Sequence, residues 1–318
     1  MSIASAQHAY ALAHFSAATG RRIGAEPSPP GPTWPISPQT RARLAVRWPV
    51  SYQWPLAGHW VGSLRAGIAR LVSVTPEEIE QPYEGIVLIE VVLDGFRHEV
   101  AIDYFDRSRL LNEVAERCPL VFKMQYAAGG YGHGHVIPGG YVPGKTSIYR
   151  YLPALHRLRE HSPPRFEVYG RFGAQYAQDT RRRAIELLSS QRRFRFEGSL
   201  VTRPYSAYLR EAALSRVCID LPGNGDMCHR LVDYLAVGCT IVRPQPQTAL
   251  HVPLTDGVNI RFAAGDLSNL VDICAGLLAD DAQRDRLARA AREYHARYLH
   301  PDQLAGYYVD RCVALLSG

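Results

Sequence analysis

The stretch RVCIDLPGNGDMCHRLVDYLAVGCTIVRP, residues 216–244, contains a complete strand, loop, helix and strand. An apolar run at residues 217–221 predicts a buried strand, and Pro-Gly-Asn-Gly follows it as a loop whose backbone can approach a ligand closely. A helix is predicted to begin near Asp226 and to end at Gly238, a residue type common at helix C-termini. Because ligands of open α/β sheets lie beyond the carboxyl ends of the strands, this loop is a candidate binding site.

Strands and helices alternate throughout the second half of the chain. The pattern predicts helices at residues 149–159, 178–189, 205–215 and 229–237, and strands at residues 166–172, 194–198, 217–221 and 239–243. Further on, apolar residues recur at helical spacing at Leu287, Ala291, Tyr294 and Tyr298, and a last helix at residues 301–316 is expected to reach back to the first half. The alternation predicts a Rossmann-like domain with a parallel sheet over residues 146–318.

The first half of the chain has a different pattern of predicted helices and strands. Residues 85–95, 97–105 and 120–126 are β-rich, a helix is predicted near residues 109–116, and residues 58–74 also favour a helix. The TPEE sequence at residues 75–78 is typical of a helix start. A helix-compatible segment at residues 3–18 and an arm with six prolines between Pro27 and Pro38 come first. We predict a small, atypical α/β domain over residues 1–145.

Composition narrows the class of protein. A chain of 318 residues with 47% hydrophobic and 21% charged residues is long enough for two globular domains. The net charge of +6 is carried almost entirely by arginine, because Lys123 and Lys145 are the only lysines. Arginine pairs bidentately with phosphate, so this charge indicates either an anionic substrate or a solvated basic surface.

The sequence also contains signals for the cellular compartment of the protein. The six cysteines show no CxxC pair or disulfide-like clustering, so we expect reduced thiols. No stretch approaches the ~18 apolar residues of a membrane-spanning helix, and the N-terminus lacks the basic start and apolar middle of a signal peptide. We therefore expect a cytoplasmic protein without a membrane span.

A glycine-rich segment, AAGGYGHGHVIPGGYVPGK at residues 127–145, joins the two halves. Its seven glycines predict a loop system, and its length favours a functional role. His133 and His135 are close enough in sequence for zinc, but no third ligand stands at a recognisable spacing, so we predict no metal site and keep His135 as a candidate base in a cleft-lining loop. Tyr126, Tyr131 and Tyr141 are candidates for stacking on a sugar or a base, or for anchoring the loop.

Two side chains that can carry positive charge follow the Pro-Gly-Asn-Gly loop. His229 and Arg230 lie in the first turn of the predicted helix, where free N–H groups and the positive end of the helix dipole favour a phosphate. An ordinary strand, turn and helix would also contain a glycine here. The coincidence of the glycines, the nearby Asp226 and the two side chains favours a binding site.

The same stretch resembles the C-terminal half of GT-B-fold glycosyltransferases, particularly the exostosin-like and CAP10-like groups. In these groups a strand, a Gly-containing loop, an Arg and an apolar helix ending in Gly-Cys or Gly-Ser precede a strand such as TIVRP. Residues 254–308 are similar to the family's closing pattern of a "dG-N" turn, a helix, an "LL-D" break and an "AR" helix, and EVYGRFG at residues 167–173 resembles the strand that opens the donor domain. The resemblance extends over residues 120–308.

The resemblance implies two Rossmann-like domains facing a cleft and a metal-independent hexosyltransferase without a tightly bound cofactor. The donor would be a nucleotide sugar, UDP- or GDP-linked, and the acceptor a glycan or another hydroxyl compound. The residues implied to contact the donor or its phosphates are Arg171, Arg203, Asn224, Gly225, Asp226, His229 and Arg230. The E-x(7)-E pair of many retaining members is absent, since Asp226 and Asp233 stand seven apart and neither is Glu, so the stereochemistry stays open.

An inverting transfer needs a general base within reach of the acceptor hydroxyl, commonly a carboxylate or His of the first domain. Asp103, near the end of a predicted strand, is the first candidate, with an exposed turn acid as the alternative. Lys123 lies within the apolar strand LVFKMQY, so it either reaches the cleft in a paired state or lies on a solvated face.

Two other classes of protein share some of these features. A dehydrogenase or epimerase would use Rossmann-like halves, but no G-x-G-x-x-G follows a first strand and no acid lies ~20 residues beyond such a loop. The arginine excess and aromatic-rich loops also fit a non-catalytic nucleic-acid-binding protein, or a glycosyltransferase that acts on a modified nucleic-acid base. A glycan and DNA therefore both stay open as acceptors.

Overall fold

The computed structural model of the 318-residue chain describes residues 31–317. The helix predicted at residues 3–18 and the start of the proline-rich arm lie outside the described residues. The first half contains α1 (Pro38–Arg43), β1 (Leu44–Pro49), α2 (Ala57–Ala69), β2 (Ser73–Glu77), β3 (Ile86–Leu93), β4 (Phe96–Asp103), α3 (Asn112–Arg117), β5 (Leu120–Lys123) and β6 (Val136–Pro138).

The six strands of the first half form one mixed sheet in the order β2-β1-β3-β4-β5-β6. The strand β3 is antiparallel to both of its neighbours, whereas β4, β5 and β6 run parallel. The turn between β3 and β4 has positive φ at Asp94 (52°) and Gly95 (87°), the geometry that matches the right-handed twist of a hairpin. The predicted strands of this half are confirmed.

The second half contains α4 (Ile148–His161), β7 (Phe166–Arg171), α5 (Gln178–Ser190), β8 (Phe196–Ser199), α6 (Tyr205–Ala213), β9 (Ser215–Ile219), α7 (His229–Val237), β10 (Ile241–Pro244), β11 (Arg261–Ala263), α8 (Leu270–Ala279), α9 (Asp281–Tyr294), a π-helical turn (His295–Leu299) and α10 (Pro301–Leu316). Its five strands form a second sheet in the order β11-β10-β9-β7-β8, and all neighbouring pairs are parallel. The predicted α/β class with a Rossmann-like parallel sheet is confirmed.

One local prediction was wrong. The TPEE sequence forms part of β2, where Pro76 pairs opposite Trp48 of β1, because an edge strand tolerates a residue without an N–H group. The helix predicted at residues 229–237 is confirmed. It begins at His229 and not near Asp226, since the Asp226 carboxylate accepts hydrogen bonds from the N–H groups of Gln247 (2.9 Å) and Thr248 (3.0 Å).

The last helix, α10, packs on the first half as predicted. A Cβ atom at Gly67 of α2 would lie 2.8 Å from the Cβ of Ala305, so only glycine allows α2 to approach α10 this closely. Tyr308 stacks on Phe122 of β5 with ring centroids 3.8 Å apart, and its hydroxyl donates to the carbonyl oxygen of Gly139 (2.9 Å). As a result one cluster of buried apolar side chains is continuous through both halves of the chain.

Two further predictions concern the cysteine thiols and membrane-spanning helices. All six thiols are unpaired, and all except Cys228 are buried. Within residues 31–317, no helix has the length and apolar character needed to span a membrane.

Candidate functional site

Two loops at the carboxyl edge of the second sheet form the centre of the candidate site. They follow β7 (residues 172–177) and β9 (residues 220–228), which are neighbouring strands. The chain order reverses between them, because β8 lies on one side of β7 and β9 lies on the other. A crevice for ligands opens at this kind of switch point in open α/β sheets.

A buried arginine joins the two loops. Arg181, in the first turn of α5, is 4% exposed, and its guanidinium donates to the carbonyl oxygens of Pro222 (2.9 Å) and Gly173 (2.5 Å). Burial lowers the pKa of Arg181 and the charge of Arg230 lowers it further, while the nearby Asp220 carboxylate acts in the opposite direction. No carboxylate of residues 31–317 forms a direct ion pair with Arg181. A buried cation without a direct ion-pair partner is costly, so an anion bound beside Arg181 would be favoured.

A buried charge network lies next to Arg181. The Asp220 carboxylate accepts a hydrogen bond from Arg230 Nε (3.1 Å) and lies 3.5 Å from Arg243 Nη1, while Arg243 Nη2 lies 3.3 Å from Asp226 Oδ1. The Arg230 guanidinium also lies over the ring of Phe172, 4.8 Å from its centroid. Together with Arg181 the edge carries three guanidinium groups and two carboxylates. These five side chains carry one positive charge in excess, and the Asp106 carboxylate beside Gly225 adds a further negative charge to the site.

The Pro-Gly-Asn-Gly loop packs directly against the first sheet. Gln125, just after β5, donates to Met227 O (2.8 Å) and Asp106 Oδ1 (2.9 Å) and accepts from Met227 N (3.1 Å). A Cβ atom at Gly225 would lie 2.4 Å from Gln125 Nε2 and 2.5 Å from Asp106 Oδ1, so only glycine fits this contact. Asn224 also hydrogen bonds to Asp106. The two sheets thus contribute residues to one site.

His229, the first residue of α7, is arranged as a base. Its Nδ1 lies 2.9 Å from the carbonyl oxygen of Val142, which can only accept, so Nδ1 carries the proton and Nε2 carries a lone pair. Burial lowers the pKa of His229, against the opposite effects of the Val142 hydrogen bond and the Asp106 carboxylate. The imidazole is therefore neutral at pH 7, and Asp106 is close enough to stabilise it when it accepts a proton.

Aromatic side chains surround the imidazole. The Trp60 and Tyr141 rings lie 5.3 Å and 5.1 Å from the His229 ring, and Trp54 meets Trp60 edge to face at 4.8 Å. Trp54 and Trp60 are partly exposed. Partly exposed indole faces offer a surface for a flat, partly apolar ligand, so this aromatic wall is a candidate acceptor surface.

The two predicted base and cleft residues of the first sheet form a buried ion pair. Lys123 Nζ lies 2.9 Å from Asp103 Oδ2, and both side chains are almost fully buried. Lys123 also donates to the carbonyl oxygen of Arg107 (2.7 Å). The carboxylate is thus neither a base exposed to an acceptor nor an exposed turn acid, and the lysine does not lie on a solvated face. Because both side chains are buried, each charge needs the other as its partner. The sequence alone does not reveal this pairing.

Arg171 and Arg203 are paired with carboxylates. Arg171 contacts Glu197 and Glu211 and donates to Ser199 Oγ (2.8 Å), while Arg203 lies 3.7 Å from Glu211 Oε1. Two arginines and two glutamates balance each other here. Arg181, which the sequence did not single out, is therefore the guanidinium of these loops that forms no direct ion pair among residues 31–317, and contacts of Arg171, Arg203 and Arg230 with phosphate stay predictions.

The glycine-rich segment is held mainly by its tyrosines. The Tyr131 hydroxyl donates to the carbonyl oxygen of Ser108 and accepts from Ala127 N (3.1 Å), and Tyr126 packs against the Tyr131 ring at 5.2 Å. His135 Nε2 lies 2.8 Å from the carbonyl oxygen of Ala115 in α3, with the His133 ring beside it. His135 is thus held against α3 of the first half, whereas His229 has ring contacts with Trp60 and Tyr141. No group of three potential metal ligands occurs among the described residues.

Asp233 holds the end of the glycine-rich segment to α7. Its Oδ1 accepts hydrogen bonds from Tyr205 Oη (2.8 Å) and Gly144 N (3.1 Å). Burial raises the pKa of Asp233 to about 7, although both hydrogen bonds act to lower it. The carboxyl group is thus partly protonated near neutral pH.

This raised pKa predicts a pH-dependent stability. Between about pH 4 and pH 7 the folded protein keeps a proton on Asp233 that the unfolded chain releases, so this group's contribution is complete below about pH 4 and is lost as the pH rises through about 7. Asp233→Asn keeps an acceptor for both donors and cannot ionise. The free energy of unfolding of the variant, relative to the parent, should increase by roughly 2–4 kcal/mol from about pH 4 to about pH 8 in urea titrations. A constant difference across this range would show that Asp233 does not titrate there.

Asp106, Gln125, Trp60 and Arg181 are the site residues that sequence reasoning missed. Each lies in a loop or a helix far from the Pro-Gly-Asn-Gly loop along the chain, and only Asp106, in a loop after a predicted strand, carried a signal of position. Comparison with family models and with curated proteins gave no match.

Proposed function

We propose that the protein is a glycosyltransferase that moves a sugar from a nucleoside-diphosphate donor to a hydroxyl acceptor, with both substrates bound between the loops of the two sheets. The observation that carries the proposal is Arg181, a buried cation at the switch point of a parallel sheet that forms no direct ion pair with a carboxylate among residues 31–317. The N-terminus of α7 has no side-chain cap and lies at the same edge, where its N–H groups favour an anion. The diphosphate of the donor would bind there.

The chemistry would be a direct displacement. The proton of the acceptor hydroxyl passes to Nε2 of His229, and the acceptor oxygen bonds to the anomeric carbon as the bond from that carbon to the diphosphate oxygen breaks. The diphosphate leaves with the electron pair, and Arg181 and the α7 N-terminus stabilise its charge. The Asp106 carboxylate stabilises the imidazolium that forms. One base on the acceptor side fits inversion at the anomeric carbon.

The acceptor would lie along the aromatic wall. Trp60 is adjacent to His229, so a ring packed on its face would place a hydroxyl near Nε2. Asp106 is partly exposed beside it and can accept hydrogen bonds from further hydroxyl groups. This combination of an indole face and a carboxylate suits a neutral glycan better than a phosphate backbone.

Thermal unfolding in the presence of UDP, GDP, ADP, TDP and CMP tests the donor site. A ligand at about 100 times its dissociation constant adds about 2.7 kcal/mol to the native state, which corresponds to a shift of several degrees in Tm. We expect one nucleoside diphosphate to give such a shift, and Arg181→Gln to abolish most of it. Arg182→Gln, a change at the exposed neighbouring residue, is the matched control and should keep the shift. If none of the nucleotides shifts Tm, the donor site is refuted.

A further inference from the structure

A second recess lies at the opposite edge of the second sheet. It has a volume of about 470 Å³ and is formed where the end of α4, the start of β9, the end of α7 and one face of α9 meet. His229 begins α7 and Gly238 follows its last residue, so the recess and the candidate active site lie at opposite ends of this nine-residue helix, about 13 Å apart along its axis.

The recess is lined by five arginines: Arg159, Arg216, Arg284, Arg289 and Arg292. Only two carboxylates, Glu160 and Asp285, lie among its lining residues. The positive charges thus outnumber the negative charges on its walls.

Three of the five guanidinium groups are held in place. Arg159 donates to the carbonyl oxygen of Ser215 (2.9 Å), Arg284 donates to that of Leu278 (2.9 Å), and Arg292 donates to Glu160 (2.8 Å). Arg216 and Arg289 are exposed, and neither forms an ion pair with a carboxylate among residues 31–317. These two cations are available to a ligand.

A buried histidine in the wall lacks a hydrogen-bond partner on one nitrogen. His156 is 7% exposed, and its Nε2 lies 2.9 Å from the carbonyl oxygen of Ala236, so Nε2 carries the proton. Burial lowers the pKa of His156 to about 4, which keeps the ring neutral at pH 7. Among residues 31–317 no group donates to its Nδ1, which is itself buried. His156 thus contributes a neutral ring to the wall of the recess.

We propose that this recess is a binding site for a phosphorylated small molecule. The phosphate pairs with Arg216 and Arg289, the two exposed arginines of the recess without an ion pair among residues 31–317. The volume is in the range that encloses a ligand of nucleotide or sugar-phosphate size. A nucleic-acid strand instead needs an extended basic groove with stacking platforms. The site is independent of the proposed transferase activity.

Hydrogen–deuterium exchange with inorganic pyrophosphate, UDP or a single-stranded oligonucleotide tests the site on the full chain. We expect pyrophosphate or UDP to protect peptides that cover residues 156–164 and 284–292, separately from any protection of residues 220–230 at the candidate active site. Protection by UDP alone would identify a nucleotide as the ligand class, and protection by pyrophosphate would identify the phosphate groups as sufficient. Protection by the oligonucleotide alone would overturn the proposal in favour of nucleic acid, and protection confined to residues 220–230 would also overturn it.

Two double variants with reversed charges test whether the binding is specific to the recess. Arg216→Glu with Arg289→Glu should weaken the binding that protects residues 156–164 by at least tenfold. Arg182→Glu with Arg286→Glu makes the same change in net charge at exposed arginines outside the recess and should leave that binding unchanged. If both pairs of substitutions weakened this binding equally, the protein's overall charge would explain the effect. That result would refute a specific site.

Discussion

His229→Asn is expected to lower the rate of transfer by about 10²–10⁴-fold, the usual contribution of a positioned general base. The amide nitrogen of Asn can keep the hydrogen bond that His229 Nδ1 donates to the carbonyl oxygen of Val142, so the variant removes Nε2 and its lone pair with little change in packing. The rate is measured as release of nucleoside diphosphate from a nucleotide sugar. The nucleotide of this sugar donor is the one that raises Tm. The nucleotide-induced shift itself should stay, because His229 acts on the acceptor side.

The pH profile gives an independent test of the same residue. Burial places the pKa of His229 below its ordinary value of 6.5, and only the neutral ring accepts a proton. The rate should thus be constant near pH 7 and fall as the pH decreases below about 6.5, and this acidic decline should be absent from the residual activity of His229→Asn. His59→Asn changes an exposed histidine next to Trp60 and is the matched control. Activity of His229→Asn within tenfold of the parent would rule out His229 as the base.

Asp220→Asn is expected to give the largest loss of stability, about 3–5 kcal/mol. Asp220 is fully buried and contacts two arginines, of which Arg243 is also fully buried, so the substitution leaves two guanidinium groups with one remaining carboxylate, Asp226. Urea unfolding measures the effect as a lower midpoint with an unchanged m-value. The nucleotide-induced shift in Tm should also decrease, because Asp220 fixes Arg230 beside the loops that hold Arg181.

An exposed ion pair provides the control for this prediction. Asp272 pairs with Arg193, and the side chains are 72% and 54% exposed. Asp272→Asn should therefore change the free energy of unfolding by less than about 1 kcal/mol, as is usual for surface pairs. If Asp220→Asn cost no more than Asp272→Asn, the buried network would not stabilise the fold.

Four of the five strands of the second sheet could be predicted because their signals are local, whereas the short edge strand β11 was not predicted. Glycine after α7, an apolar strand on each side and a helical period in between specify a βαβ unit without reference to distant residues. The strand formed by Thr75–Glu77 was mispredicted because it depends on a distant part of the chain. Its local sequence favours a helix start, and only pairing with β1 makes it a strand.

The site could be predicted only in part. The Pro-Gly-Asn-Gly loop and His229 were selected from the sequence because they lie at the end of a predicted strand and the start of a predicted helix. His229 was expected to carry positive charge beside the donor phosphates, whereas burial lowers its pKa. Asp103 was selected as a base on the same argument of position, yet it is buried against Lys123. Asp106, three residues later, is the carboxylate that reaches the loop, through Gln125 and Gly225. A difference of three residues decides between a fully buried and a partly exposed carboxylate, and periodicity does not resolve it at a strand end.

The sequence by itself determined the α/β class, the alternation that produces the parallel sheet, and the loop and helix that face its carboxyl edge, because these depend on contacts within about 30 residues of chain. Tertiary structure alone decided which charges are paired and which are free. Arg230, in the predicted phosphate position, is bound to Asp220, whereas Arg181, without a motif of its own, is buried without a carboxylate partner among the described residues. Burial and charge pairing depend on neighbours that the fold brings together from distant parts of the chain, so they appear only when the fold is complete.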